Sequence, residues 1–166
     1  MADLRKKFSK IYDRYIDRIY RFIFFKVNSQ EVAEDLTSET FLRTWAAFKN
    51  QEIENIQAFL YQTARNLVTD YYREKGKTQV ISADYHSPIT DLRQNLEERA
   101  MLSSDLNTIR KALAELNEDY QNVIIWYYLD DLSISEVANL LGRTEEATRV
   151  LLHRALESLR QKLNSV

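Results

Sequence analysis

Residues 133–155 read SISEVANLLGRTEEATRVLLHRA, and this run predicts two helices joined by a tight turn. Ser133 and Glu136 have the spacing of a capping box, in which two side chains satisfy exposed amides at a helix start. Gly142 ends the short helix, because glycine readily adopts the left-handed conformation that the reversal needs. Thr144 then caps a longer helix that continues to the end of the chain. The arrangement is typical of a helix-turn-helix.

In a helix-turn-helix the N-terminal half of the second helix lies in the major groove of DNA. The apolar residues along this helix are Val150, Leu152, Ala155, Leu156 and Leu159. The predicted groove residues are the polar ones exposed early in the same helix, namely Arg143, Glu145, Glu146, Arg149 and His153. A helical hairpin with no role in DNA binding remains the alternative, because helix pairs with a glycine turn are common.

The first half of the chain predicts three further helices. The first carries an apolar stripe at helical spacing, formed by Phe8, Ile11, Tyr12, Tyr15, Ile16, Ile19, Tyr20 and Ile23. Asn28 and Ser29 offer a cap for the second, which runs to about Phe48. Asn55 caps the third, and Gly76 is its predicted end. The third helix is predicted to bury Ile56, Phe59, Leu60, Thr63, Ala64, Leu67, Val68, Tyr71 and Tyr72, and to expose Tyr61, Gln62, Arg65, Asn66, Thr69, Asp70 and Arg73.

Helical periodicity is lost after Lys77 in a polar stretch that holds Pro88, the one proline of the chain. It returns with Leu106, and Asn117 caps a helix whose predicted inner face is Tyr120, Val123, Ile124, Tyr127 and Tyr128. We therefore predict an all-α fold of two small helical domains, residues 1–77 and 105–166, joined by a flexible linker over residues 78–104.

Composition restricts the chemistry of the 166-residue chain. The absence of cysteine excludes disulfides, cysteine-rich zinc fingers and a thiol nucleophile, and it fits a cytoplasmic protein. His86 and His153 are isolated, and there is no glycine-rich phosphate loop. We therefore predict no metal, no cofactor and no small-molecule substrate. A helical enzyme, the third functional class considered, would need a catalytic cluster that the sequence does not show.

The net charge of −2 argues against broad nucleic-acid binding, because phosphate neutralisation needs clustered Lys and Arg. Residues 1–78 carry 14 basic and 11 acidic side chains, whereas residues 105–166 carry 7 and 10. Only the first domain is mildly basic, so few phosphate contacts are expected.

Two sets of motifs resemble regions of the extracytoplasmic-function sigma factors. LSISEVA at 132–138, with LG at 141–142 and LHRA at 152–155, resembles region four over about residues 106–163. AEDL at 33–36, ETFLRTW at 39–45 and FLYQTARNL at 59–67 resemble region two over about residues 8–76. Two motif sets in the family's order are more specific than either set alone.

The resemblance implies a non-enzymatic subunit that binds core RNA polymerase and directs it to promoter DNA. The second helix of region two docks on polymerase in this family, which implies contacts from Asp35, Glu39, Thr40, Phe41 and Arg43. The third helix and the preceding loop, Phe48 to Asn55, read and open the −10 element, which implies DNA contacts from Tyr61, Arg65, Asn66 and Arg73. Region four holds the −35 duplex, which implies contacts from Arg143, Thr144, Arg149 and His153.

The chain departs from the family pattern at two places. Ser38 stands where relatives usually have glutamine, and residues 146–151 read EATRVL where relatives usually have Gly-Thr-Val-Lys-Ser-Arg. The alternative function is therefore a degenerate family member that binds polymerase or another protein without reading −35 DNA. The family also implies an anti-sigma factor, often membrane-bound, as a further partner.

Overall fold

The computed structural model describes residues 2–27, 29–82 and 104–164. Every element within these ranges is a helix and none is a strand. The chain divides into two compact units, Met1–Asn95 and Leu96–Val166, and each is described by itself. The predicted all-α fold in two helical domains is confirmed. Residues 83–103, which include most of the predicted linker and His86, lie outside the described residues.

Up to Ser82, where the description of the first unit ends, the chain forms three helices: α1 spans Ala2–Val27, α2 spans Gln30–Asn50 and α3 spans Ile56–Ser82. Each of them packs against the other two. Their shared core consists of Tyr15, Ile19, Phe22, Ile23, Phe25, Val27, Ala33, Phe41, Leu60, Tyr61, Ala64, Leu67 and Val68.

The inner face of α2 is rich in threonine, and its buried hydroxyls are satisfied within the helix. Thr37, Thr40 and Thr44 each donate to the carbonyl oxygen four residues earlier, at 2.6, 2.7 and 2.7 Å. A buried hydroxyl without a partner would cost free energy, so these bonds allow a polar face to pack into an apolar core. The outer face of α2 is left free for charged side chains.

The predicted caps of the first unit are confirmed. Ser29 Oγ accepts from the amide of Val32 at 3.3 Å at the start of α2. Asn55 Oδ1 accepts from the amide of Ala58 at 3.0 Å at the start of α3. Because each bond joins residues three apart, the local sequence is enough to determine where these helices begin.

Three predictions for α3 are wrong. Tyr72, predicted to be buried, is 45% exposed. Tyr61 does not lie on the exposed face: it is 0% exposed and meets the Phe22 ring edge-on, with centroids 5.4 Å apart. Helices α1 and α2 both cover α3, so its buried face is wider than the stripe predicted from one period. Gly76 does not end the helix, which continues to Ser82, because glycine inside a helix costs only about 1 kcal/mol.

The described part of the second unit holds four α-helices: α4 spans Ser104–Ala114, α5 spans Glu118–Ile124, α6 spans Ile134–Leu141 and α7 spans Glu145–Asn164. A π-helical turn, Ile125–Leu129, follows α5 directly. Helix α7 packs against α4, α5 and α6. The core consists of Ala112, Leu113, Leu116, Val123, Ile124, Ile125, Trp126, Leu132, Val137, Ala138, Leu152 and Ala155.

The helix-turn-helix has the predicted local structure. Ser133 and Glu136 form the complete capping box, with bonds of 3.1 Å in both directions. Gly142 lies in the left-handed region at φ 67°, and the amide of Arg143 donates to the carbonyl of Ala138 at 3.0 Å. Thr144 Oγ1 accepts from the amide of Ala147 at 3.1 Å and so caps α7.

The inner face of α5 differs from the prediction. Asn117 caps the helix as expected, accepting from the Tyr120 amide at 2.9 Å. However, residues 122–126 are all buried, whereas Tyr128 is 49% exposed, so the placement of Tyr128 on the inner face is wrong. A π-helical turn bonds residue i to i+5, and this wider turn interrupts the α-helical period on which the prediction depends.

Candidate functional site

The outer face of α2 presents charged residues beside an apolar side chain. Asp35 and Arg43 are exposed, and Arg43 Nε lies 3.0 Å from Glu39 Oε1 one helical turn earlier. Leu42, between these charges, is 62% exposed. Thr40 and Phe41 are buried, so in this unit they support the face from within. The side chains open to a partner are therefore those of Asp35, Glu39, Leu42 and Arg43.

A cleft of about 500 Å³ opens between the first half of α1 and the middle of α2. Rings line much of it: the Phe8 and Trp45 centroids are 5.1 Å apart, and those of Tyr12 and Phe41 are 5.0 Å apart. The lining residues are Arg5, Phe8, Ser9, Tyr12, Ser38, Phe41, Leu42 and Trp45. A cleft with aromatic walls and a charged rim suits an apolar side chain of a protein partner.

Sequence reasoning missed this cleft because it assigns Phe8 and Tyr12 to a buried stripe. Tyr12 is 44% exposed, so its place on that stripe is wrong. Ser38 is the residue from which the cleft could have been predicted. A small side chain at this lining position leaves space beside the aromatic rings.

The predicted −10 residues are only partly brought together on the surface of α3. Asn66 is exposed and its Oδ1 accepts from Gln62 Nε2 at 3.2 Å. Arg73 is exposed, with its guanidinium 4.0 Å from Asp70. Arg65 is half-buried, and Tyr61 lies in the core. Asn66 and Arg73 are the predicted residues most open to a ligand.

Tyr72 of α3 provides a hydrogen-bond donor at the C-terminal end of α1. Its hydroxyl donates to the carbonyl oxygen of Lys26, one of the last carbonyls of α1, which lack partners within the helix. Burial raises the pKa of Tyr72, and the neighbouring Tyr71 adds to the effect. The neutral hydroxyl is therefore retained as the donor up to high pH.

Helix α7 is oriented by three buried residues on one side, Thr148, Leu152 and Ala155. Arg149 and His153 are both exposed, in agreement with their predicted position on the surface. Arg143 pairs with Asp119, with Nη2 3.0 Å from Oδ2. The Thr144 hydroxyl serves as the helix cap. Two of the predicted DNA-contacting side chains thus already have structural partners.

The burial of Val150 in α7 differs from what the sequence predicts. The sequence interpretation groups it with the apolar residues Leu152 and Ala155, but it is 50% exposed, whereas those two are buried. Val150 therefore belongs to the surface that the helix-turn-helix presents. The signal in the sequence is its spacing of two and five residues from them, which a helix does not place on one face.

Within the described ranges, no group of three or more His, Asp or Glu side chains is arranged to hold a metal ion. None of the helices in those ranges is long and apolar enough to span a bilayer.

Known proteins match both units. Residues 11–78 match the family described as Sigma-70 region 2, and residues 106–159 match Sigma-70, region 4. The chain is 30% identical to the ECF RNA polymerase sigma factor BldN of Streptomyces coelicolor over 94% of its own length and 60% of the length of BldN. It is 28% identical to the ECF RNA polymerase sigma factor SigM of Bacillus subtilis, over 93% of this chain and 94% of SigM.

The fold is also found among solved structures. The sigma factor RpoE, solved in complex with the anti-sigma factor NepR from Bartonella quintana, superposes with a TM-score of 0.71 at 23% identity. The match covers 96% of this chain and 98% of that one. At this identity the likeness concerns the fold.

Proposed function

The chain belongs to the extracytoplasmic-function sigma factors, and from this membership we propose that it binds core RNA polymerase and directs it to specific promoters. The observation that carries the proposal is the pair of family matches, region 2 over residues 11–78 and region 4 over residues 106–159. Each match falls on a separate helical unit, and the second contains a helix-turn-helix. We assign polymerase and −10 binding to residues 1–77 and −35 binding to residues 105–166. The linker is placed within residues 78–104, of which residues 78–82 continue α3.

Polymerase binding is assigned to α2 and the adjoining cleft. Asp35, Glu39 and Arg43 supply the charged rim, and Leu42 supplies an exposed apolar contact. Charged rims around an apolar centre are common in protein interfaces. Thr40 is retained in an indirect role, since it holds α2 in place from the buried side, whereas Phe41 also lines the cleft.

Two substitutions in the cleft test this assignment. Leu42→Asp places a carboxylate where a partner's apolar side chain would pack. Co-purification with core polymerase should therefore fall by about tenfold or more, which corresponds to a loss of about 1.4 kcal/mol of apolar contact. Ser38→Gln fills part of the cleft and should change the affinity for polymerase without changing the stability of the unit. The control is Glu52→Ala, an exposed change outside the cleft lining. Equal retention of polymerase by Leu42→Asp and the control would contradict the assignment.

DNA opening is assigned to α3 and the loop before it, with Asn66 and Arg73 as the outward contacts and Arg65 beside them. Strand separation needs surfaces for unstacked bases and cations for the backbone. Tyr61 is not retained as a stacking residue because it is buried. Duplex binding at −35 is assigned to α7 through Arg149 and His153, with Arg143 and Thr144 positioning the turn.

The chain is proposed to act by binding alone, as sigma factors do, and to work in the cytoplasm where polymerase and DNA are found. An anti-sigma factor is proposed as a further partner. This proposal is supported by the solved RpoE structure, which contains the anti-sigma factor NepR.

A second function is favoured by one specific observation. Both residues in the first turn of α7 after the cap, Glu145 and Glu146, are acidic and exposed, and carboxylates repel phosphates. If these carboxylates keep α7 away from duplex DNA, the chain is an interaction module that binds polymerase or a regulator without reading −35 DNA.

Promoter-selective transcription with core polymerase separates the two functions. The full chain should select a defined promoter, and Arg149→Ala combined with His153→Ala should abolish that selectivity. Lys111→Ala removes an exposed cation from α4 and serves as the control. Selectivity that survives the double change favours the interaction module, and failure to bind core polymerase at all refutes the main proposal.

A further inference from the structure

The outermost line of α7 has an apolar residue at its centre. Thr148, Leu152 and Ala155 define the buried side of the helix. A helix turns by about 100° per residue, so in the N-terminal half of α7 the line opposite these residues consists of Glu146, Val150 and His153. All three are exposed, and Val150 is 50% exposed. This line is the solvent-exposed side of the N-terminal half of α7.

Cations flank this line on both sides. Arg149 lies on one side of the helix and Arg154 on the other, and both are exposed. Two flanking cations match the two phosphate backbones that border a major groove, and a central line matches the base edges on its floor. The Glu146 carboxylate on the central line supports this orientation, because it would be repelled if that line faced phosphates.

Val150 cannot form hydrogen bonds with base edges. The apolar group that bases present in the major groove is the C5-methyl of thymine, and apolar side chains contact it. We propose that Val150 packs against a thymine methyl and thereby selects thymine at one position of the −35 element. This inference rests on the proposed function. It adds to that function the base that Val150 recognises.

The valine is not explained by packing within the unit. Leu152 and Ala155, its apolar neighbours along α7, are buried in the core, whereas half of the Val150 surface is open. The next residue, Leu151, is already half-buried. Val150 therefore retains free apolar surface at the helix face that meets DNA.

Removing one methyl group from the DNA tests the proposal. Holoenzyme is assembled from the full chain and core polymerase, and its selected −35 duplex is prepared with each thymine replaced in turn by deoxyuridine. At one position the replacement should weaken the wild-type complex about fourfold, the value expected for one buried methyl group. The same replacement should leave the Val150→Ala complex unchanged, because its contact is already lost.

Tyr128→Ala is the matched control, since it removes another exposed apolar side chain from the second unit. It should retain the full effect of the deoxyuridine. Equal weakening of the wild type and Val150→Ala at every thymine overturns the proposal while leaving −35 binding intact. If Val150→Ala impairs only the binding of a protein partner, the valine faces protein and the proposal is also overturned. If holoenzyme selects no −35 sequence, the assigned DNA function fails together with it.

Discussion

Replacing Gly142 by alanine isolates the energetic contribution of the turn between α6 and α7. Gly142 has φ 67°, and a Cβ added there would meet no atom within 4 Å. The cost is therefore conformational: about 1–2 kcal/mol for a side chain in the left-handed region. Alanine recovers about 0.4–1 kcal/mol because it restricts the unfolded chain. The net loss for Gly142→Ala should be about 1 kcal/mol, or about 4–8 °C in the melting temperature of a domain this small.

Gly76→Ala provides a control in which the same substitution should have the opposite effect on stability. Gly76 lies inside α3 without positive φ, and its added Cβ would also meet nothing within 4 Å. Alanine has the higher helix propensity by about 1 kcal/mol, so Gly76→Ala should stabilise the first unit. Far-UV circular dichroism during thermal unfolding can follow this gain.

The two tryptophans allow the second unit to be followed separately. The chain contains Trp45 in the first unit and Trp126 in the core of the second. In a Trp45→Phe background, the fluorescence of Trp126 reports urea unfolding of the second unit. Gly142→Ala should lower the midpoint without changing the slope of free energy against urea. An unchanged or raised midpoint would refute the argument from backbone conformation.

Three further predictions concern a cap, a tyrosine and a phosphate contact. Ser133→Ala removes the capping box of α6 and should lower the stability of the second unit by about 1 kcal/mol, measured by the same Trp126 transition. The pKa of Tyr72 is raised above 10.0, first by burial and then by Tyr71, so the folded state holds this proton more tightly than the unfolded chain. Tyr72 should therefore make its full contribution to the stability of the first unit below pH 10, and this contribution should be lost as pH rises through the raised pKa. Tyr72→Phe should remove this loss but cost about 1 kcal/mol at neutral pH through the missing bond to Lys26, and urea titrations of both proteins between pH 7 and about pH 11 would check it. Arg149→Ala should reduce the slope of log affinity for the −35 duplex against log salt concentration by about 0.9; a reduction of the same size in Lys111→Ala would count against a phosphate contact at Arg149.

The helix starts could be predicted because their causes are local. Ser29, Asn55, Asn117, Ser133 and Thr144 each accept from an amide three residues ahead. Such a bond depends on the identity and position of one side chain, both of which are read from the sequence. The turn at Gly142 is predictable for the same reason, since its left-handed backbone favours glycine.

Burial was harder to predict because it depends on which elements cover a helix. Tyr61 is buried because α3 is covered by both α1 and α2, and a single hydrophobic stripe does not indicate that. Tyr12 shows the reverse case, since it follows the apolar period but borders an open cleft. For the candidate site, the sequence identified Asp35, Glu39 and Arg43 on the exposed face, but it missed the cleft beside them.

The acidic start of α7 is compatible with DNA binding once its structural role is considered. Glu145 and Glu146 lie in the first turn of α7, where the helix dipole favours negative charge. Only Glu146 lies on the outermost line, and a carboxylate there can accept from a cytosine amino group. Under the proposed function, the flanking Arg149 and Arg154 would attract the phosphates. The affinity from this unit would then be modest, and its selectivity would depend on the central line. A domain of this kind would depend on polymerase, held by the first unit, to keep it near DNA.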